Sequence, residues 1–231
     1  MTVRGTVNKS FLLLFLVMIS AAIGWKAVLL TGIPQPVTEM CKLTIAALIV
    51  GMITCFKESW SPVLAPIYAL LEGGVLGMFA ALIEIRYPGT AINALICTLG
   101  TFLTFFTIYK SGFIKVTSGL SFGIIVATFS VALIYFAAIV LSLFRISMPY
   151  LHDSGPVGIG ISFVIVAVAA FNLLLDFDVI EQGAKAQIPK YMEWFAAFGL
   201  MLTIIWLYIE FIRLLSKLSN NRLTYIHGLL Y

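Results

Sequence analysis

The sequence is poor in charge: Asp, Glu, Lys and Arg make up 10 % of its 231 residues, against about 25 % in soluble proteins. That shortage excludes a disordered tail, which needs charge and polarity to stay solvated. The formal net charge of +4 sits at the ends of apolar runs and forms no basic patch, so no nucleic-acid partner is expected. Histidine is scarce too. Only His152 and His227 occur, in an expected loop and tail, so neither a Ser–His pair nor a zinc centre can be built inside an apolar span. Three cysteines (Cys41, Cys55, Cys97) show no CxxC spacing, and their odd number argues against a disulfide framework. No metal site and no cofactor is expected.

Apolar side chains are abundant. They account for 61 % of the chain, with 18 Gly besides; a soluble domain reaches about 45–50 % with glycine included. An interior of this size cannot hide so much apolar surface, so its solvent must be membrane lipid. A bilayer core takes about 20 apolar residues as helix. Read with that ruler, the chain divides into seven spans near residues 11–31, 39–56, 62–85, 91–109, 119–144, 157–178 and 194–215. The breaks between them are Gly32 to Pro36, Lys57–Glu58–Ser59 with Pro62, Arg86–Tyr87–Pro88–Gly89, Lys110–Ser111–Gly112, Arg145 through Pro156, and Gly183 to Lys190. The runs are continuous and do not alternate, which excludes a β-barrel. The expected fold is an all-α membrane protein, one polytopic domain built as a seven-transmembrane-helix bundle.

Arg4 and Lys9 ahead of an apolar stretch mimic a signal peptide, but six more spans follow, so an uncleaved first helix is expected. Seven crossings put seven Lys and Arg on each side of the membrane. If the last span did not cross, the count would favour the N-terminal side. A cytoplasmic N-terminus is the expectation, with the crossing of the final helix left open.

Ionisable groups at membrane depth are costly and therefore mark candidate sites. Three carboxylates qualify. Glu72 lies midway along the third span among Ala65, Ala69, Gly73, Gly77 and Ala80, where a neighbouring backbone can come close. It is either an ion contact or a packing element hydrogen-bonded across a helix pair. Asp176 ends a charge-free run, with Asn172 one turn earlier on its face and Asp178 and Glu181 nearer the headgroups. Glu210 lies deep in the seventh span, on a stripe with Ala196, Gly199, Thr203 and Arg213. An ion pair with Arg213 is the plainer account of it. Thr98, Thr101, Thr104 and Thr107 either line a wet path or, as such threonines more often do, bond back to their own helix.

Asp176 and Glu210 fall on consecutive antiparallel spans and could meet. Two carboxylates about 4 Å apart repel by roughly 4 kcal/mol at an effective dielectric near 20. That suffices for the pair to hold one proton near neutral pH. A shared proton ties the helices, and its loss pushes them apart. Such a latch titrates as a pair.

The run Phe171-Asn172-Leu173-Leu174-Leu175-Asp176-Phe177-Asp178-Val179-Ile180-Glu181 resembles the end of the sixth helix of the Bax inhibitor/YccA-like (transmembrane Bax inhibitor motif) family. Trp206-Leu207-Tyr208-Ile209-Glu210-Phe211-Ile212-Arg213-Leu214-Leu215 is similar to its last helix. Gly5-Thr6-Val7-Asn8-Lys9-Ser10 and Leu71-Glu72-Gly73 are similar to a bacterial branch. The resemblance implies a bundle with a central C-terminal helix and a location in the bacterial plasma (inner) membrane. It implies a pH-sensitive calcium leak channel whose two sensor aspartates fall on Asp176 and Glu210. The second acid is Glu here, and the connection between the two helices looks longer, which makes Asp178 and Glu193 fallback partners. In this scheme Glu72, Asn172 and Thr203 are candidates for the ion pathway, and Arg213 and Asp178 tune the acids. Calcium or the proton is the transported or sensed ion.

The rival function is a non-conducting stress-response regulator that binds other membrane proteins, such as a membrane protease, through small-residue helix faces. An enzyme is not expected: a two-acid hydrolase has no GxGD-type sequence around Asp176 or Glu210. A proton-coupled transporter would need the Gly73–Gly77 stretch to unwind, and no paired break appears in the second half.

Overall fold

A computed structural model describes residues 1–31, 35–144 and 155–229. Among them are seven α-helices and no strand: α1 (Val3–Thr31), α2 (Gln35–Phe56), α3 (Ser61–Arg86), α4 (Thr90–Lys110), α5 (Ser118–Leu143), α6 (Pro156–Lys185) and α7 (Met192–Leu229). All seven are long and apolar enough to cross a membrane, so this is a multi-pass membrane protein. Lipid offers no water to unpaired backbone groups, and continuous helices are the way an apolar chain meets that condition. Most of the expected breaks Gly32–Pro36 and Arg145–Pro156 lies outside the described residues, as do His152 and the side chain of His227.

The breaks that are described have local causes. Pro62 opens α3, where the missing N–H costs nothing. Tyr87, Pro88 and Gly89 then turn the chain, with Gly89 at a φ of 83° that disfavours a side chain. Glu84 closes this turn by accepting from Gly89 N at 2.5 Å and Ala91 N at 3.0 Å, which satisfies donors at the start of α4. Thr117 caps α5 by accepting from Leu120 N.

The chain forms two compact units. The first comprises Met1–Ala91 and Asp176–Leu202, the second Ile92–Leu175 and Thr203–Tyr231. In the first, α1 lies against the small-residue face of α3, where Ala65, Ala69, Gly73, Gly77 and Ala80 are buried. The approach is close: a Cβ on Gly73 would fall 2.5 Å from Val17 O, and one on Gly77 would overlap the carbonyl of Ala21. Small residues allow this contact between backbones, and van der Waals packing drives it where lipid removes the hydrophobic force. The Gly-rich stretch is therefore a packing face within an unbroken helix, not the unwound segment a transporter site would need. We expect Gly77→Ala to cost about 1–3 kcal/mol, because a backbone carbonyl cannot rotate out of the way. Thermal unfolding in detergent reads this, with Gly100→Ala as the control, since Gly100 has open space beside it. Equal melting of the two variants would refute the contact.

Phe198 of α7 is buried in the first unit and meets Tyr68 edge-on at 5.1 Å. In the second unit Phe105 meets Phe171 edge-on at 5.6 Å, and Lys217 donates to Gly158 O and Ser162 Oγ, tying α7 to the start of α6. Phe11, Phe122 and Phe163 point outward, as a lipid solvent permits.

Candidate functional site

The turn between α6 and α7 folds the two helices into a hairpin. Ile188 N donates to Gly183 O, Met192 N donates to Pro189 O, and Gln187 adopts a φ of 52° between them. This geometry sets Asp176 opposite Gly199, where a Cβ would stand 3.8 Å from Asp176 Oδ1. A Cβ at that distance would be in ordinary van der Waals contact, and the carboxylate's Oδ2 is shielded from solvent. Asp178, two residues on, accepts from Gln182 Nε2 at 2.5 Å within its own helix.

Glu193 is 2 % exposed, although it stands one residue before an apolar run. It forms an ion pair with Lys9 and accepts from Thr2 N at 2.9 Å and Thr2 Oγ1 at 3.0 Å. Gly5 gives it space, since a side chain there would overlap the carboxylate. The start of α1 thus meets the start of α7 at this carboxylate, and Ser61 Oγ ties α3 to the preceding turn by donating to Tyr191 O. Of the two fallback acids, Glu193 shares a unit with Asp176 but has its charge answered by Lys9.

Glu210 is 1 % exposed and belongs to the second unit. Tyr135 OH lies 2.9 and 3.0 Å from its two oxygens, Trp206 Nε1 donates at 3.1 Å, and Arg213 completes an ion pair at 3.2 Å. The guanidinium also lies over the Tyr135 ring, 4.8 Å from its centroid. The expected local ion pair with Arg213 is present, joined by two donors that the sequence does not advertise. A tyrosine in a continuous apolar span can face any side, so nothing marked Tyr135 as a partner. We expect Tyr135→Phe to destabilise by about 1–2 kcal/mol by removing a donor from a buried carboxylate. Thermal unfolding in detergent would read it, and an unchanged midpoint would refute the contact's weight.

The remaining candidates are dispersed. Asn172 Nδ2 donates to Thr128 Oγ1 at 2.7 Å and to Val168 O at 2.9 Å in the second unit. Thr203, half-buried, stands on α7 one helical turn beyond Gly199. Glu72 is partly buried on α3 in the first unit, one turn from Tyr68. Thr98, Thr104 and Thr107 donate to Ala94 O, Gly100 O and Leu103 O of their own helix, which spends the hydroxyls that a wet path would need. Among the described residues no group of three or more His, Cys, Asp or Glu could hold a metal ion.

Sequence reasoning ranked Glu193 only as a fallback and missed Lys9 and Thr2 as its partners. A signal existed: seven crossings place residues 1–10 and 190–193 on one membrane face, each just ahead of an apolar run. No curated protein matches the sequence. The sequence model described as Bax inhibitor 1 like matches residues 1–220, nearly the whole chain. The chain belongs to the Bax inhibitor-like family, which is linked to membrane channel and regulator roles.

Proposed function

We propose that the protein is a pH-sensitive leak pathway for cations, calcium foremost, gated by the carboxylate pair Asp176 and Glu210. The observation that carries this reading is a carboxylate at depth, Asp176, whose Oδ2 is shielded from solvent where α6 faces Gly199 of α7. An anion is costly at such a position, so the uptake or loss of a proton there can govern the state of the protein. Glu210, ion-paired to Arg213, is the fixed charge, and Asp176 is the group that takes up the proton. With the proton held, α6 and α7 stay together. As pH rises the proton leaves, a costly anion is left at membrane depth, and the path opens. Glu72, Asn172 and Thr203 offer oxygen ligands along the way, too few for the six to eight that calcium prefers in a storage site and suited to weak, passing contacts.

The test is reconstitution. Proteoliposomes loaded with a calcium dye should show a flux above empty liposomes that rises with pH. No flux at any pH would remove conduction and favour the second reading, a regulator that docks other membrane proteins. That reading draws on Gly100, Gly119, Gly123 and Gly160, each with open space where a side chain would stand. Faces so bare invite another helix.

A further inference from the structure

A cavity of 570 Å³ opens between the start of α1 and the start of α7, lined among others by Thr2, Gly5, Asn8, Lys9, Lys190 and Glu193. It is separate from Asp176 and from Glu210. Its depth follows from the sequence: Lys9 stands two residues before the apolar run opening at Phe11, and Glu193 stands one residue before Trp194. The point where an apolar run begins is where a helix passes the level of the lipid headgroups. Lys9 Nζ lies 5.5 Å from the centre of the Trp194 ring, and tryptophan is the residue that settles at that level.

The charge balance of the cavity is unequal. Glu193 is the one carboxylate among the lining residues, and it is engaged by Lys9 and by the backbone and hydroxyl of Thr2. An ammonium carries three protons, so Lys9 can serve Glu193 and still present donors to the cavity. Lys190 is exposed and adds a second cation, and Asn8, also exposed, adds an amide. Gly5 contributes no side chain to fill the space. Among the lining side chains, two ammonium groups against one carboxylate leave an excess of positive charge, the complement of a phosphodiester. A choline or ethanolamine on the same lipid would bring a second cation beside the lysines, whereas a glycerol would not. Basic pockets between transmembrane helices recognise anionic headgroups on these terms.

We propose that this cavity is a binding site for the phosphodiester headgroup of an anionic phospholipid, held by Lys9, Lys190 and Asn8. The site stands whether or not the protein conducts ions. It is tested on the full chain in detergent by native mass spectrometry, adding phosphatidylglycerol and phosphatidylcholine in equal amounts. Phosphatidylglycerol should be retained in preference. Lys190→Gln should weaken that retention about fivefold, the worth of one lysine near an anionic surface. Lys190 is exposed, so this variant keeps the fold. Lys185→Gln, removing an exposed lysine paired with Glu181 instead, should leave retention unchanged. Added inorganic phosphate should not displace the lipid; displacement would mean that a free anion is the occupant and would overturn the lipid assignment. Equal retention of the two lipids, or equal behaviour of the two lysine variants, would overturn the site itself.

Discussion

Lys9→Met should destabilise the protein by about 3–5 kcal/mol, the cost of leaving a buried carboxylate without its counter-ion. Glu193 is 2 % exposed, so water in the adjoining cavity reaches its carboxylate too little to replace in full the ammonium that Lys9 supplies. Thr2 still donates twice, but neutral donors do not cancel a full charge. The second variant needed is Glu193→Gln in the Lys9→Met background. It keeps the shape and the acceptor oxygen that Thr2 uses while removing the orphaned charge, so it should recover a large part of the loss. Thermal unfolding of wild type, both single variants and the double variant closes a cycle. Strong coupling is expected, and simple additivity would show that the two groups do not act as a pair.

Asp176→Asn should abolish the pH dependence of calcium flux. Asparagine cannot become an anion, yet it keeps a donor and nearly the same volume, so it imitates the protonated acid at every pH. A gate governed by one proton changes by up to about tenfold per pH unit in its titrating range, whereas the variant should vary by less than about twofold over the same interval. Its flux should stay at the low level of wild type in acid. A variant that retains the wild-type pH profile would place the sensor elsewhere.

The membrane architecture was open to reading from the chain because its signals are crude and repeated. Spans expected at 62–85, 91–109 and 119–144 are helices Ser61–Arg86, Thr90–Lys110 and Ser118–Leu143, since proline, glycine and charge coincide with the apolar limits there. The outer helices were underestimated for one reason. Span one was expected from residue 11, but α1 begins at Val3, and α7 runs to Leu229, well past residue 215. An apolar ruler stops where polar residues begin, yet Thr6, Ser10 and Ser216 bond back to carbonyls one turn earlier and stay helical. Those polar turns are where the missed contacts of Lys9 and Thr2 lie.

The candidate acids were legible as well, because a carboxylate in an apolar run is conspicuous: Asp176, Glu210 and Glu72 all stand inside helices. Their partners were not. Which residue meets Glu210 depends on the rotation of α5, and nothing in the uniform apolar stretch from Ile124 to Leu143 fixes that rotation. Gly199 was visible as part of a small-then-polar stripe, but only the hairpin geometry shows that Asp176 stands opposite it.

The central claim, that a proton taken up and lost by Asp176 governs the gate, is tested most directly by infrared difference spectroscopy across a pH step. A carboxylic acid C=O band of wild type should titrate, and the same band should vanish in Asp176→Asn. A titrating band that persists unchanged in Asp176→Asn would contradict it.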